Sequence, residues 1–196
     1  TIHKGLVWSN YAVTTGRWHL IAAGKLGATD MQRYGYMRNG LFPENSYGRG
    51  RRAKFGEGGG KGAVTFDAGY GHVFKFGFGY EWRAPQATTA FMAPEMNNDF
   101  VSNLKNEHVL SSDQYQNAWL HANLSGYYSR LDHVTEWQNF FFDDVNSFTY
   151  VSMTGIKKAY YGIELGVKFK ITSYLDLKAL GTWSEAKNTN NSRVAY

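Results

Sequence analysis

Residues 72–85, HVFKFGFGYEWRAP, place an aromatic side chain at every second position. The aromatic positions are Phe74, Phe76, Phe78, Tyr80 and Trp82, and small or charged residues lie between them. A period of two residues is typical of a β-strand whose two faces meet different surroundings. This stretch therefore predicts a strand with one aromatic face and one polar face.

The same alternation recurs along the chain, while helical periodicity is nearly absent. In YYGIELGVKFKI, at 160–171, one face is apolar and the other is small or charged. The pattern predicts an all-β, antiparallel protein of about eight strands. These strands are predicted at residues 5–13, 17–30, 61–69, 73–83, 105–115, 118–140, 149–170 and 175–188.

The connections between these strands alternate in length. Tight turns are predicted at 14–16, 70–72, 116–117 and 172–174. Long polar loops are predicted at 31–60 and 84–104, and a connection of intermediate length at 141–148. Short links at one end and long links at the other are typical of outer-membrane barrels, with turns in the periplasm and loops outside the cell. The chain is therefore predicted to be transmembrane β-barrel wall.

Composition agrees with a barrel in the membrane. The chain has 196 residues, 17% of them aromatic, with 22 glycines and no cysteine. Its mean hydropathy of −0.46 and the lack of an apolar run of about 18 residues exclude a transmembrane helix. A soluble lipocalin-like barrel with the aromatic residues inside is the alternative. It is less consistent with the sequence, because strands that contain many glycines would then have to form the core.

Four motifs, in order, resemble the TonB-dependent receptors of the outer membrane, especially those of the Bacteroidetes lineage. GYEWRAP resembles a strand end that opens a long extracellular loop, and NLKNE resembles the start of the next descending strand. YYGIELGVKFKI and GTWSEAKNTN resemble the strands on either side of a short turn. The motifs lie at 79–85, 103–107, 160–171 and 181–190.

This resemblance implies a nutrient-uptake receptor in the bacterial outer membrane. The family fold is a barrel of about 22 strands around an N-terminal plug, and the plug connects the receptor to TonB. Eight strands fall far short of that number, and no plug sequence or TonB-box-like segment is found in residues 1–196. We therefore expect an internal part of the barrel wall, with the plug domain absent from this chain. The alternative is a small eight-stranded barrel with a structural or adhesin role.

The resemblance also implies the partners. They are TonB, outer-membrane lipid and lipopolysaccharide, a small-molecule, glycan or peptide substrate, and in some family members a surface lipoprotein. No nucleic-acid partner is expected, because the basic run RGRRAK (49–54) lacks interleaved aromatic residues. A solvated run or a contact with lipopolysaccharide phosphates fits that segment better.

Signals for catalysis, cofactors and metals are weak. GEGGGKG (56–62) lacks the spacing of a phosphate-binding loop and is interpreted as a flexible loop leading into the third strand. The six histidines show no ligand spacing, and DDVNS (143–147) lacks the glycine and the distal glutamate of a calcium loop. We expect no enzyme activity, no cofactor and no metal site.

Candidate substrate contacts lie in and beside the two long loops, because binding residues tend to lie on loops held by a rigid scaffold. Aromatic and thioether side chains there could stack on a sugar or a peptide, or could pack the loops against their neighbours. Two charged residues at the predicted barrel mouth complete the set. The candidates are Tyr34, Tyr36, Phe42, Tyr47, Glu81, Arg83, Phe91 and Met92.

Overall fold

The structure is a computed structural model that describes residues 1–93, 96–118, 122–143, 146–190 and 193–194. It consists of one antiparallel β-sheet with a single helical turn between its fourth and fifth strands. The elements are β1 (Ile2–Thr15), β2 (Trp18–Gly35), β3 (Gly48–Gly69), β4 (His72–Arg83), α1 (Ala87–Ala90), β5 (Glu107–Ala118), β6 (Ala122–Phe142), β7 (Ser147–Lys170), β8 (Asp176–Asn188) and β9 (Arg193–Val194).

The strands pair in sequence order from β1 to β8, and the short β9 pairs with β7. In this order β1 and β8 lie at opposite ends of the sheet. A closed eight-stranded barrel would require those two strands to pair. The fold is therefore an open section of barrel wall, as predicted, and the small-barrel alternative is not favoured.

Two predicted loops are shorter than expected, because the strands beside them are longer. The loop predicted at 31–60 is reduced to residues 36–47, and the connection predicted at 141–148 is reduced to 143–146. The interpretation of GEGGGKG as a flexible loop was wrong. These glycines lie within β3, where Gly58 pairs with Leu26 on one side and with Trp82 on the other.

Two connections lie partly or wholly outside the described residues. The turn predicted at 116–117 falls inside β5, and the connection from β5 to β6 lies at 119–121, outside the described residues. The DDVNS segment also falls partly outside them, at 144–145. Within the described part of the chain, no helix is long and apolar enough to cross a membrane.

The two faces of the sheet follow the alternation seen in the sequence. We call the face that carries Phe74, Phe76 and Phe78 the apolar face, and the face that carries Lys75 and Glu81 the polar face. The three phenylalanines are 41–55% exposed on the unpaired apolar face. On the same face the rings of Trp18 and Phe66 lie 4.4 Å apart across β2 and β3. In a barrel wall an apolar face of this kind meets lipid, and the polar face lines the lumen.

A buried apolar cluster lies on the polar face near the long connections. It consists of Met31, Ala90 and Phe91, with Phe55, Ala84, Ala87, Phe100 and Leu104 packed around it. Met31 and Phe55 belong to β2 and β3, whereas the other residues belong to the connection between β4 and β5. The cluster thus holds that connection against the sheet.

Candidate functional site

The β4–β5 connection, residues 84–106, folds back over the polar face instead of extending away from it. Phe91 is 7% exposed and stacks on Phe100, with ring centroids 4.5 Å apart. The Ser152 hydroxyl donates a hydrogen bond to the Thr89 carbonyl oxygen at 2.9 Å, which ties the connection to β7. The connection therefore covers the end of the polar face from β2 across to β7.

The β2–β3 loop, residues 36–47, docks onto this connection through asparagines. The backbone N–H of Asn98 donates to the carbonyl oxygen of Asn45 at 2.9 Å. Nδ2 of Asn45 donates to Oδ1 of Asn97 at 3.1 Å. Asn97 and Asn98 are 5% and 2% exposed, and buried amides without partners are costly. These hydrogen bonds therefore fix the relative position of the two loops.

Arg33 joins the same contact from the end of β2. Its guanidinium donates to Oδ1 of Asn98 at 2.5 Å and to the carbonyl oxygen of Ser46 at 3.2 Å. Gly50, opposite on β3, leaves the space that Asn98 needs, since a Cβ there would lie 2.8 Å from the Asn98 Cβ. The loop contact thus depends on residues from both strands and from both connections.

A row of alternating charges lies on the polar face at the base of the covering connection. Nζ of Lys25 lies 2.5 Å from Oε2 of Glu81, and Nε of Arg83 lies 3.0 Å from Oε2 of Glu107. Arg83 also approaches Glu81 at 3.8 Å. We call these four residues the charge ladder. It joins β2, β4 and β5 and presents fixed charges on the polar face of the sheet.

An open groove of about 650 Å³ runs along the polar face beside the charge ladder. Its floor is formed by glycines, including Gly59 and Gly79, and Trp8, Lys25 and Glu81 contribute to its lining. A groove of this size suits a small ligand. It offers an aromatic surface next to charged groups, and such a surface can bind and orient a polar solute.

The structure brings together only some of the predicted candidate residues. Glu81 and Arg83 meet in the charge ladder, and the rings of Tyr34 and Tyr36 form an edge-to-face pair at 5.2 Å. The exposed candidates are Tyr34, Tyr36 and Tyr47, the partly buried ones are Phe42 and Met92, and Phe91 is buried. Their role as substrate contacts stays a prediction.

Sequence reasoning missed the residues that connect the loops. Asn45, Asn97 and Asn98 lie in segments that read as polar loop, and nothing in their spacing indicates that they pair. Lys25 and Glu107 were also missed, although both fall on the polar face of predicted strands. The register of the sheet, combined with the charge of each residue on that face, would have identified both.

The protein is part of the wall of an outer-membrane type of β-barrel. Its strands have one apolar and one polar face, they pair antiparallel in sequence order, and a folded connection covers one end of the polar face. No protein-family model and no curated protein matches the sequence. Among solved structures, the fold is similar to that of the copper transporter OprC, with a TM-score of 0.77 and 17% sequence identity. The likeness covers 99% of this chain and 30% of OprC.

This likeness confirms the predicted fold class, a section of barrel wall. At 17% sequence identity it concerns the fold alone and does not extend to the Bacteroidetes receptor type in particular. Because the chain spans 30% of the length of OprC, the likeness concerns the wall and not the whole transporter. Among the described residues, no group of three or more His, Cys, Asp or Glu side chains is placed to hold a metal ion.

Proposed function

We propose that this chain forms part of the barrel wall and extracellular mouth of a TonB-dependent uptake receptor in the bacterial outer membrane. The fold it has in common with an outer-membrane transporter supports this function, as do the four receptor-like motifs in order. Since that structural neighbour is a transporter, we propose transport and no enzyme activity for the chain.

The observation that carries this proposal is the covered mouth. The connection at 84–106 is held over the polar face by a buried apolar cluster, by Ser152 and by the docked β2–β3 loop. A folded loop of this kind narrows the opening of a barrel, and the charge ladder lies directly at its base. Fixed charges in a narrow opening attract and orient polar solutes more strongly than the same charges in open water.

This chain would supply only some parts of the proposed receptor. It supplies wall, polar lining and two docked loops, whereas the plug and the contact with TonB would come from another part of the full-length receptor. The Bacteroidetes-type assignment is supported by the motifs GYEWRAP and NLKNE. A surface lipoprotein above the docked loops is part of that assignment.

The proposed cargo is a small molecule, a glycan or a peptide. OprC is named as a copper transporter, and at 17% identity its cargo is one candidate among several for this chain. We propose that Tyr34, Tyr36 and Tyr47 contact the cargo from the exposed loop, with Phe42, Phe91 and Met92 shaping the loops behind them. Glu81 and Arg83 would meet the cargo as it passes the mouth.

The test is uptake by cells that carry the full-length receptor. Radiolabelled copper(II), oligosaccharides and oligopeptides are supplied to cells with and without TonB, and to cells that lack the receptor gene. We expect one of these cargoes to enter the cells only when both TonB and the receptor are present. The double variant Glu81→Gln/Arg83→Gln should lower that uptake at least about threefold per folded receptor in the outer membrane. Uptake that is indifferent to TonB or to the gene would overturn the proposal.

A further inference from the structure

Four cations lie within six consecutive residues of β3: Arg49, Arg51, Arg52 and Lys54. Strict alternation along a strand would divide them between the two faces of the sheet. Arg52 and Lys54 would lie on the apolar face, with Gly58 and Gly60, and Arg49 would lie on the polar face, below the docked loops. The register shows a different arrangement.

A β-bulge interrupts the alternation at this point. Gln32 of β2 pairs with Arg52 of β3, whereas Tyr34 pairs with Arg49, so one residue of β2 faces two residues of β3. An extra residue shifts the parity of every side chain that lies beyond it. Gly50 therefore points toward Asn98 on the polar side, and Arg49 is transferred to the same side as Arg52 and Lys54.

The position of these residues along β3 places them just beyond the lipid-facing band. Trp82 pairs with Gly58 and lies at the external end of the aromatic residues of β4. Lys54 lies four residues further along β3 on the same face. At roughly 3.3 Å per residue and a strand tilt of about 40°, this is about 10 Å above the tryptophan row. Lipid headgroups lie at this depth, just outside the hydrocarbon core.

The charge of this hairpin is concentrated and largely unbalanced. Residues 30–54 contain six Lys or Arg and two Asp or Glu, a net charge of +4, against +5 for the whole chain. Arg52 pairs with Asp30 at 3.2 Å. Arg49, Arg51 and Lys54 are exposed and have no carboxylate partner in the described part of the chain. An exposed guanidinium without a carboxylate partner can bind a phosphate through two parallel hydrogen bonds.

We propose that Arg49, Arg52 and Lys54, the β3 basic strip, bind the phosphate groups of lipopolysaccharide in the outer leaflet. The strip continues the lipid-facing side of the sheet and points away from the mouth, so its ligand is a membrane lipid and not a transported solute. Tyr34 pairs with Arg49 on the same side and is 46% exposed, which offers the lipid a polar aromatic contact.

The experiment measures binding of purified full-length receptor to lipid A in detergent micelles at about 0.15 M salt. The strip variant is Arg49→Gln/Arg52→Gln/Lys54→Gln. Each cation near an anionic lipid surface contributes roughly a fivefold factor, so we expect binding of bis-phosphorylated lipid A to weaken about a hundredfold. Dephosphorylated lipid A should bind the natural protein about as weakly as phosphorylated lipid A binds the variant.

Two matched variants make the result specific. The control Lys61→Gln/Lys75→Gln/Lys178→Gln removes the same charge from the polar face and should leave lipid A binding unchanged. The charge-retaining variant Arg49→Lys/Arg52→Lys/Lys54→Arg should bind within about fivefold of the natural protein, and a folded barrel is verified for each by heat-dependent gel migration. Equal loss in the strip and control variants, or equal binding of lipid A with and without phosphate, would overturn the proposal.

Discussion

Asn45 and Asn97 lie 52 positions apart in the sequence and are joined by a hydrogen bond, from Nδ2 of the first to Oδ1 of the second, at 3.1 Å. This bond crosses between the β2–β3 loop and the β4–β5 connection. Together with the backbone bond from Asn98 to Asn45, it makes the two loops one unit. The shape of the mouth therefore depends on a few amide groups that contribute little to the sheet itself.

Replacing Asn98 with alanine should release the loops from each other. The change removes the acceptor for Arg33 and leaves buried groups without partners, at a cost of about 1–3 kcal/mol. We expect faster hydrogen exchange and easier proteolysis at 36–47 and 84–106, with unchanged exchange in β1 to β4 below them. The exposed Asn139→Ala is the matched control. If neither loop becomes more accessible in Asn98→Ala, the docked unit described here is wrong.

Gly58 should be required for the position of Trp82 on the apolar face. A Cβ built on Gly58 would overlap the indole ring, whereas one built on Gly56, two residues away on the same face, meets nothing within 4 Å. Gly58→Val should therefore destabilise the barrel by about 1–3 kcal/mol, and Gly56→Val should change its stability far less. Urea unfolding of the receptor in lipid vesicles measures both. Equal effects would mean that the indole does not rest on Gly58.

The alternation of apolar and polar residues was sufficient to predict the sheet, its eight long strands and its faces. Phe74, Phe76 and Phe78 lie where the pattern placed them, because side chains on a regularly paired strand alternate between the two faces of the sheet. The two connections predicted to be long are still the longest described ones, at 36–47 and 84–106, whereas the β6–β7 connection at 143–146 is as short as the turns at the other end of the sheet. These features are local, and they follow from neighbours in the sequence.

The glycines of β3 show why the boundaries were harder to predict. A run such as GEGGGKG has low strand propensity, since glycine loses much conformational freedom when it is ordered. In the structure β2 and β4 pair with this run on both sides and supply the hydrogen bonds that hold it extended. The asparagine contacts were unpredictable for the same reason, because they need partners about 50 residues away.

The two faces of β4 should respond differently to the same new charge. Phe76→Arg puts a guanidinium on the apolar face near the middle of the band, where such a charge costs about 2–4 kcal/mol. Gly77→Arg puts it on the polar face, where a new Cβ would have ordinary contacts at 3.8–4.0 Å and Asp113 is a neighbour. The yield of barrel folded into lipid vesicles should fall for Phe76→Arg only. Equal losses would contradict the assignment of the faces.

Glu107 should be the most sensitive member of the charge ladder. It is 3% exposed and accepts hydrogen bonds from Nε of Arg83 at 3.0 Å and from the backbone N–H of Thr135 at 3.4 Å. Glu107→Ala leaves both donors without their acceptor and should destabilise the barrel by about 1–3 kcal/mol. Glu164→Ala, on the exposed part of the polar face, is the control and should change the urea midpoint little. A midpoint shift no larger for Glu107→Ala than for this control would show that the ladder is not structural.

The last prediction concerns the side of the membrane on which each connection lies. Because neighbouring strands are antiparallel, the short links at 16–17, 70–71 and 171–175 share one end of the sheet, and the connections at 36–47 and 84–106 share the other. Barrels of this class place short turns in the periplasm and long loops outside the cell. The docked loops should therefore face the medium, and the β7–β8 turn should not.

Single cysteines test this arrangement, because residues 1–196 contain none of their own. Met37 and Tyr174 are 81% and 89% exposed, so their reactivity differs only through the side of the membrane on which they lie. On intact cells an impermeant maleimide should label Met37→Cys and leave Tyr174→Cys unlabelled until the outer membrane is permeabilised. Labelling of Tyr174→Cys and not of Met37→Cys on intact cells would invert the topology, and the β3 basic strip would then face the periplasmic leaflet, where lipopolysaccharide does not reside.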